Sequence, residues 1–472
     1  MSSFVSRDPT GDAIEKRASV DIAFSTFGCK VNTYDTGLLQ RQLSALALNP
    51  KATAVTATTA GAAGGTTVTP TTLPTGATTT SSGTRSSAMM AEQGRKVHIV
   101  NTCAVTEEAT REAVRTVRRL KKREPETLVV VTGCAAQVDT NAFADLAAAD
   151  LVVANSHKGE MVELIARALS GDLPQKVYRS NIFRKSDVEA GGGREQEHHR
   201  AFLKIQDGCN SFCSYCVIPY ARGRSRSLSI DTVIEQISRL EAEGTKEVVL
   251  TGIHIGDYQD EERQGDLVDL IADILQRTRI PRIRLGSLEP LELTDRLVDL
   301  YADPRLCRHF HMSVQSAHSR ILQAMTRKYD AAAVEKVLTT IEQKIPGAFV
   351  GLDVIVGFPG ETEIEYQETW ARLAALPWTR IHVFPYSARP GTKAFAMAGG
   401  LRPEDLKQRA AHLRALSSQR FSVHAQRQIG QVKEALIWRK GERGYRGLTR
   451  DYWSVELVGS SLPEIFGMIR GD

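Results

Sequence analysis

Between Asp21 and about Gly171 the chain alternates short apolar runs, DIAFSTFGC, KVHIVNTC, TLVVVTGC and DLVVANS, with segments of helical hydrophobic period. Short runs rich in Val, Ile and Leu suit buried strands, and helical segments between them suit crossover connections, so the pattern predicts a parallel α/β unit over residues 19–172. A longer series follows. Six apolar runs, AFLKIQ, KEVVLTG, RIRLGS, FHMSVQ, GLDVIVGF and RIHVFPYS, are separated by amphipathic stretches such as Ile230 to Ala242 and Ala332 to Gln343. Repeated strand-helix units of this kind predict a barrel or part of one over residues 195–427. From about Gly430 the segments shorten to VKEALIW, YRGLTR and YWSVELV, broken by Gly, which predicts a small antiparallel β-module over residues 428–472.

Composition interrupts this pattern twice. Residues 49–94 are almost wholly Thr, Ala, Gly, Ser and Pro, too poor in apolar surface to offset their ordering entropy, so a disordered surface insertion is expected inside the first unit. The polar stretch EAGGGREQEHHR, residues 189–200, reads as a linker. The length of 472 residues then fits two or three domains. There is no run of about 18 uninterrupted apolar residues, and the first residues lack the apolar core of a signal sequence, so a cytoplasmic protein without membrane contact is expected. A net charge of +5 permits a polyanionic partner without requiring one. Cations concentrate at Arg427, Lys433, Arg439, Lys440, Arg443, Arg446 and Arg450, and on the helix after Cys103 at Arg111, Arg115, Arg118 and Lys122. Either group reads as a solvated face or as a phosphate-tracking surface.

The chemistry lies in the seven cysteines. Cys209, Cys213 and Cys216 form a C-x3-C-x2-C run just past the first barrel strand, where barrel enzymes build their active sites. Three thiolates there can hold a 4Fe-4S cluster and leave one iron without a protein ligand. A zinc site completed by His198 or His199 is the alternative. Cys29, Cys103 and Cys134 are scattered, yet each ends its own predicted strand, in FSTFGC, IVNTC and VVTGC. Residues past the carboxyl ends of parallel strands share one sheet edge, so these three thiols are expected to converge on a second cluster. Cys307 lacks such a context.

The motifs TFGCKVNTYDT, VNTCAVT, VVTGCAAQ, GCNSFCSYC, LTGIHIGDY, RLGSLEP, HMSVQS, DVIVGFPGETE and VFPYSARPGT together resemble the radical S-adenosylmethionine (SAM) methylthiotransferase family, over about residues 20 to 450. GCKVN, LTGIHIGDY and RLGSLEP are most similar to the branch acting on N6-threonylcarbamoyladenosine at tRNA position 37. The resemblance implies an α/β domain, a partial (β/α)6 barrel and a TRAM-like RNA-binding module. It implies a SAM-binding 4Fe-4S cluster on Cys209, Cys213 and Cys216, and an auxiliary 4Fe-4S cluster on Cys29, Cys103 and Cys134. Thr251, Gly252, Ser287, Glu289 and Gln315, at or after strand ends, are the candidate SAM contacts, and Arg222, Arg224 and Arg226 could balance a SAM carboxylate or an RNA phosphate. The implied partners are the anticodon loop of tRNA and a reductant protein such as flavodoxin or ferredoxin.

The sequence departs from the family pattern at the insertion, which separates Cys29 from Cys103, at AHSR 317–320, and in a short terminal module. The rival readings are methylthiolation of isopentenyladenosine at the same tRNA position, methylthiolation of a ribosomal-protein aspartate, and a non-catalytic iron-sulfur RNA-binding protein.

Overall fold

The computed structural model describes residues 20–45, 56–58, 95–191, 200–441, 444–458 and 469–470. His198, His199 and nearly all of the expected insertion lie outside them. The first unit is a six-stranded parallel sheet of β1 (Asp21–Phe27), β2 (Thr56–Thr58), β3 (Lys96–Thr102), β4 (Leu128–Gly133), β5 (Leu151–Ala154) and β6 (Val177–Tyr178), in the order β2-β1-β3-β4-β5-β6. Two of its strands differ from expectation. Thr56–Thr58, inside the stretch expected to be disordered, pairs with β1, and β6 falls beyond residue 172.

Local chemistry sets the helix boundaries. Helix Glu107–Arg123 begins where Thr106 accepts a hydrogen bond from the Ala109 N–H, carries Glu107 and Glu108 in its first turn, and ends on Lys121, Lys122 and Arg123. Both ends complement the helix dipole. Its buried Ala109, Ala113, Val117 and Leu120 lie on the sheet in one apolar cluster with Cys103 and Cys134.

The second unit is a partial barrel. Its strands are β7 (Arg200–Lys204), β8 (Gln206–Asp207), β9 (Arg226–Ser227), β10 (Glu247–Thr251), β11 (Arg282–Leu285), β12 (Ser287–Leu288), β13 (His309–Gln315), β14 (Phe349–Val356) and β15 (Arg380–Pro385). Parallel ladders run in the orders β11-β10-β7 and β12-β13-β14-β15. The run RIRLGS, which reads as one strand, divides at Gly286, whose N–H bonds the Leu250 carbonyl at 2.8 Å. The chain passes there from one ladder to the other. Between β7 and β15 the barrel is open, and helix Lys30–Ala45 of the first unit lies along β7, with Tyr34 buried in the barrel's core cluster.

The third unit is an antiparallel meander of β16 (Val432–Lys433), β17 (Ala435–Gly441), β18 (Gly444–Thr449), β19 (Ser454–Val458) and β20 (Ile469–Arg470), with β17-β18-β19 in one sheet and β16-β20 in another. Buried guanidiniums fasten it to the barrel. Arg282 donates to the carbonyls of Leu448 (3.0 Å) and Glu434 (3.1 Å), and Arg284 to those of Arg450 (3.1 Å) and Thr449 (3.3 Å). Tyr452 stacks on His309, ring centroids 3.8 Å apart. The module's cations are less free than composition implies: Lys433 pairs with Asp451, Arg450 with Glu434 and Arg446 with Glu456. The side chains of Arg439, Lys440 and Arg443 lie outside the described residues. No helix among the described residues is long and apolar enough to cross a membrane.

Candidate active site

Cys29, Cys103 and Cys134 follow β1, β3 and β4, which are adjacent in the sheet. The insertion therefore leaves Cys29 in place. A Cβ built on Gly28 would lie 2.8 Å from both Cβ and Sγ of Cys103, so only a glycine lets these two strand ends meet, and its φ of +99° is one that glycine adopts freely. Asn32 ties the same ends together by donating to the carbonyls of Phe27 (2.6 Å) and Thr102 (3.0 Å). Cys103 and Cys134 are buried and Cys29 is exposed. Burial, with the neighbouring Cys134 and Cys29, pushes the Cys103 thiol up to about 12.

The structure gives Arg222 a different task from the one its sequence context implies. It is buried, and all its nitrogens are occupied: Nη1 donates to Asp207 (2.9 Å), Nη2 to Asn32 (2.6 Å) and Asp35 (3.1 Å), and Nε to Cys134 Sγ (3.3 Å). Asp35 also receives Lys158 and Lys204, each at 2.7 Å. Residues of both large units thus share one buried ion cluster, and Glu189 of the expected linker joins it through Lys204 at 3.4 Å. Arg226 is spent on the carbonyls of Asp187, Arg222 and Arg224, so neither Arg222 nor Arg226 is free for SAM or RNA.

The loop of Cys209, Cys213 and Cys216 is held between β8 and β9, which pair antiparallel. A Cβ on Gly208 would lie 1.9 Å from the Arg224 carbonyl oxygen, so the loop's base also requires glycine. The Ser211 N–H approaches Cys209 Sγ at 3.4 Å, and Arg327 Nη1 donates to Cys213 Sγ at 3.2 Å. Burial and the neighbouring Cys213 raise the Cys216 thiol to about 12. Immediately beyond, Val217 and Ala221 of the Val217–Arg222 segment enter the apolar cluster of Cys103 and Cys134, so one helical turn joins the two cysteine trios.

Among the expected SAM contacts, Thr251 ends β10 buried, and a Cβ on Gly252 would meet Gln206 Oε1 at 2.8 Å. Glu289 pairs with Arg327 at 2.9 Å beside Cys213, and burial raises its carboxyl above the ordinary value. Gln315 ends β13 at a register shift with φ +63°, a strained conformation of the kind that gathers at functional sites. The Ser287 hydroxyl meets His311 Nδ1 at 3.1 Å, and His311 Nε2 meets Asp353 at 2.8 Å.

Three side chains that contact the cysteine loop had no reading from sequence: Gln206, His254 and Arg327. Gln206 Oε1 accepts the N–H groups of Ile253 (3.0 Å) and His254 (2.9 Å), while its amide donates to the Gly208 carbonyl (2.8 Å), joining the two loops. His254 contacts Asp257 and Glu292 and lies 3.9 Å from Cys209 Sγ. Burial opposes its charge, but hydrogen bonds to Asp257, Cys209 and Glu292 outweigh burial and hold it well above the ordinary histidine range. The polar residues of GIHIGDY, directly after β10, and of MTRKYD, after the short helix Ser319–Ala324, were the available signal.

These donors fit iron-sulfur clusters. Each trio has three thiols, no fourth cysteine among the described residues, and N–H donors aimed at sulfur, as thiolate ligation favours. Cys307 stands apart, buried beside Arg284 and Glu247.

The basic helix borders a cleft of about 990 Å³ lined by Arg111, Arg115, Arg118, Arg179, Arg389 and Phe395, among others. Arg111 pairs with Glu107 at 2.5 Å and Arg115 with Glu112 at 2.7 Å, which halves the expected stripe.

The family model of the radical SAM superfamily matches residues 203–373, and that of Uncharacterized protein family UPF0004 matches residues 80–154. Barrel, cysteine loop and match together define a radical SAM enzyme. The threonylcarbamoyladenosine tRNA methylthiotransferase MtaB of Aquifex aeolicus (strain VF5) is 33% identical over 440 residues, 93% of this chain and 97% of that protein. The tRNA-2-methylthio-N(6)-dimethylallyladenosine synthase of Syntrophomonas wolfei is 33% identical over 353 residues, 72% of this chain and 77% of that protein. The chain belongs to the tRNA methylthiotransferase family, and in it to the threonylcarbamoyladenosine branch. Among solved structures, the radical S-adenosylmethionine methyltransferase TsrM from Kitasatospora setae shares the fold, with a TM-score of 0.54 and 15% identity over 80% of this chain and 77% of that one.

Proposed function

We infer that this protein replaces the hydrogen on carbon 2 of N6-threonylcarbamoyladenosine, at position 37 of the tRNA anticodon loop, with a methylthio group. The observation that carries this reading is the pair of cysteine trios joined by one helical turn, Ile218–Arg222. In this reading Cys209, Cys213 and Cys216 hold the SAM-binding cluster, and Cys29, Cys103 and Cys134 hold the auxiliary one. Bound clusters supply electron transfer to SAM at the first site and sulfur for insertion at the second. The residues of the chain do the positioning. Gly28 and Asn32 keep the auxiliary thiols together, and Gln206 fixes the cysteine loop against Thr251 and Gly252. Glu289 and Arg327 set opposite charges beside Cys213, suited to the ammonium and carboxylate of a bound amino acid.

An anticodon-loop adenosine suits such a site because an unpaired base can be splayed out of its stack into a pocket. A flavodoxin- or ferredoxin-like reductant delivers electrons in the cytoplasm. The test compares tRNA nucleosides of a deletion strain with those of its parent. The 2-methylthio derivative of threonylcarbamoyladenosine should vanish from the deletion strain, and its persistence, or loss of the isopentenyl derivative instead, rejects this substrate. In protein reconstituted without oxygen, about eight irons per chain are expected. Cys213→Ala should then abolish release of 5'-deoxyadenosine from SAM, whereas Cys103→Ala should keep that release and lose thiolation.

A further inference from the structure

The ion cluster between the two large units does not balance. Lys158, Lys204 and Arg222, all buried, share two buried carboxylates, Asp35 and Asp207. Around them two further cations, Lys185 and Arg226, match two further acids, Asp187 and Glu189. One positive charge is left without a carboxylate among the described residues, and a desolvated charge without a partner is costly. No solvent anion can answer it, because the void lined by Lys158, Asp207, Arg222 and Arg226 measures about 10 Å³, no more than one water needs.

The geometry shows where that charge is directed. Arg222 Nη1 and Nη2 are taken by Asp207, Asn32 and Asp35, and its remaining donor, Nε, meets Cys134 Sγ at 3.3 Å. Buried Asn155 fixes the end of the same helix by donating to the Ala221 carbonyl at 2.9 Å. The other cysteine trio has a donor of the same kind, Arg327 to Cys213 Sγ at 3.2 Å, but Glu289 at 2.9 Å cancels its charge. The two trios share a type of donor and differ in the charge behind it.

We propose that Arg222 is a positioning residue that acts through Cys134 to set the reduction potential of the auxiliary cluster, holding it above the value that three thiolates alone would give. Reduction adds negative charge, and both a nearby cation and a hydrogen bond to sulfur favour the more negative form. The proposal rests on the assignment of Cys29, Cys103 and Cys134 to that cluster. Arg222 ends the helix that begins two residues after Cys216, so the segment leaving the SAM cysteine loop carries the residue that tunes the other site.

The experiment is an oxygen-free redox titration of the reconstituted full chain carrying Cys209→Ala, Cys213→Ala and Cys216→Ala, so that only the auxiliary cluster remains. The electron paramagnetic resonance of the reduced form is the readout, and about four irons per chain are expected. In this background Arg222→Gln should lower the one-electron reduction equilibrium by about 10- to 100-fold, the effect of one hydrogen bond between charged groups. That is a fall of about 60–120 mV at 59 mV per tenfold. Asp35→Asn removes an acid from the same seam with little change of shape and should move the potential upward. Both variants loosen the seam, so a purely structural role would shift the two alike or leave both unmoved. An unchanged potential in Arg222→Gln, or shifts of the same sign in the two variants, overturns the proposal. Should Arg222→Gln fail to hold its cluster, Asp35→Asn decides: a rise supports the assignment, and a fall or no change overturns it. A background protein that binds no iron, with every residue of the seam in place, would instead refute the auxiliary site itself.

Discussion

Replacing Gly28 by Ala should remove one cluster and spare the other. At φ +99° an alanine costs about 1–2 kcal/mol in backbone conformation. Its Cβ would also sit 2.8 Å from Cβ and Sγ of Cys103, and forcing a methyl into such a contact costs roughly 1–3 kcal/mol. The sum, about 2–5 kcal/mol, falls on the strand ends that carry Cys29 and Cys103. It is smaller than the total stability typical of a domain, so the chain should fold with its auxiliary trio displaced. Gly244→Ala is the control, because its φ of +85° carries a similar backbone cost while nothing lies within 4 Å of the added Cβ. Both variants are reconstituted without oxygen and assayed for iron, SAM cleavage and tRNA thiolation. Gly28→Ala should drop from about eight irons to about four, still release 5'-deoxyadenosine, and thiolate no tRNA. Gly244→Ala should match the parent in all three. A Gly28→Ala protein with both clusters and parental thiolation would refute the packing argument.

Arg222→Gln leaves Asp207 and Asp35 short of a buried partner and should lower unfolding free energy by about 3–5 kcal/mol, measured by denaturant titration; an unchanged midpoint contradicts the ion cluster. In Asp35 and Asp207 burial opposes the charge, but Lys204 and Arg222, with Lys158 at Asp35 and Arg226 at Asp207, outweigh burial and hold both carboxyls below the ordinary 3.8. Their contribution is therefore complete above that ordinary value and is lost as pH falls through the lowered ones. The part of the denaturation midpoint that Asp35→Asn removes from cluster-free protein should be constant from about pH 7 to about pH 5 and shrink only in stronger acid. Arg118→Glu or Arg179→Glu should weaken tRNA binding and reduce its salt dependence by about one counterion each, without altering SAM cleavage. Arg284→Leu should release the terminal module, seen as faster proteolysis within residues 428–458.

Strand-then-cysteine spacing was enough to bring Cys29, Cys103 and Cys134 to one sheet edge, because in a parallel sheet the residues after strand ends share that edge whatever lies between the strands. The partners of those thiols were not legible in the same way. Arg222 stands in YARGRSRS, which reads as a solvated basic run, and its burial depends on Asp35, 187 residues away. Arg282 and Arg284 sit within an apolar run and gave no sign that they would hold the terminal module, since the carbonyls they bind are set by tertiary docking. The weakening of the basic stripe could have been read: EEATREAVR places Glu107 four residues before Arg111 and Glu112 three before Arg115. The contact of Ser287 with His311 was not legible either, because RIRLGS reads as one strand and the break at Gly286 starts a second short one.

The shared anchorage of Lys158, Lys204 and Arg222 on Asp35 has a mechanical consequence. Hinging the sheet away from the barrel would strand several charges in a dry seam at once, so the two halves behave as a single casting. The separation between the iron sites is then a property of the folded chain, set before either cofactor or RNA arrives. Adjustment to the shape of an incoming anticodon loop must come from parts outside that seam.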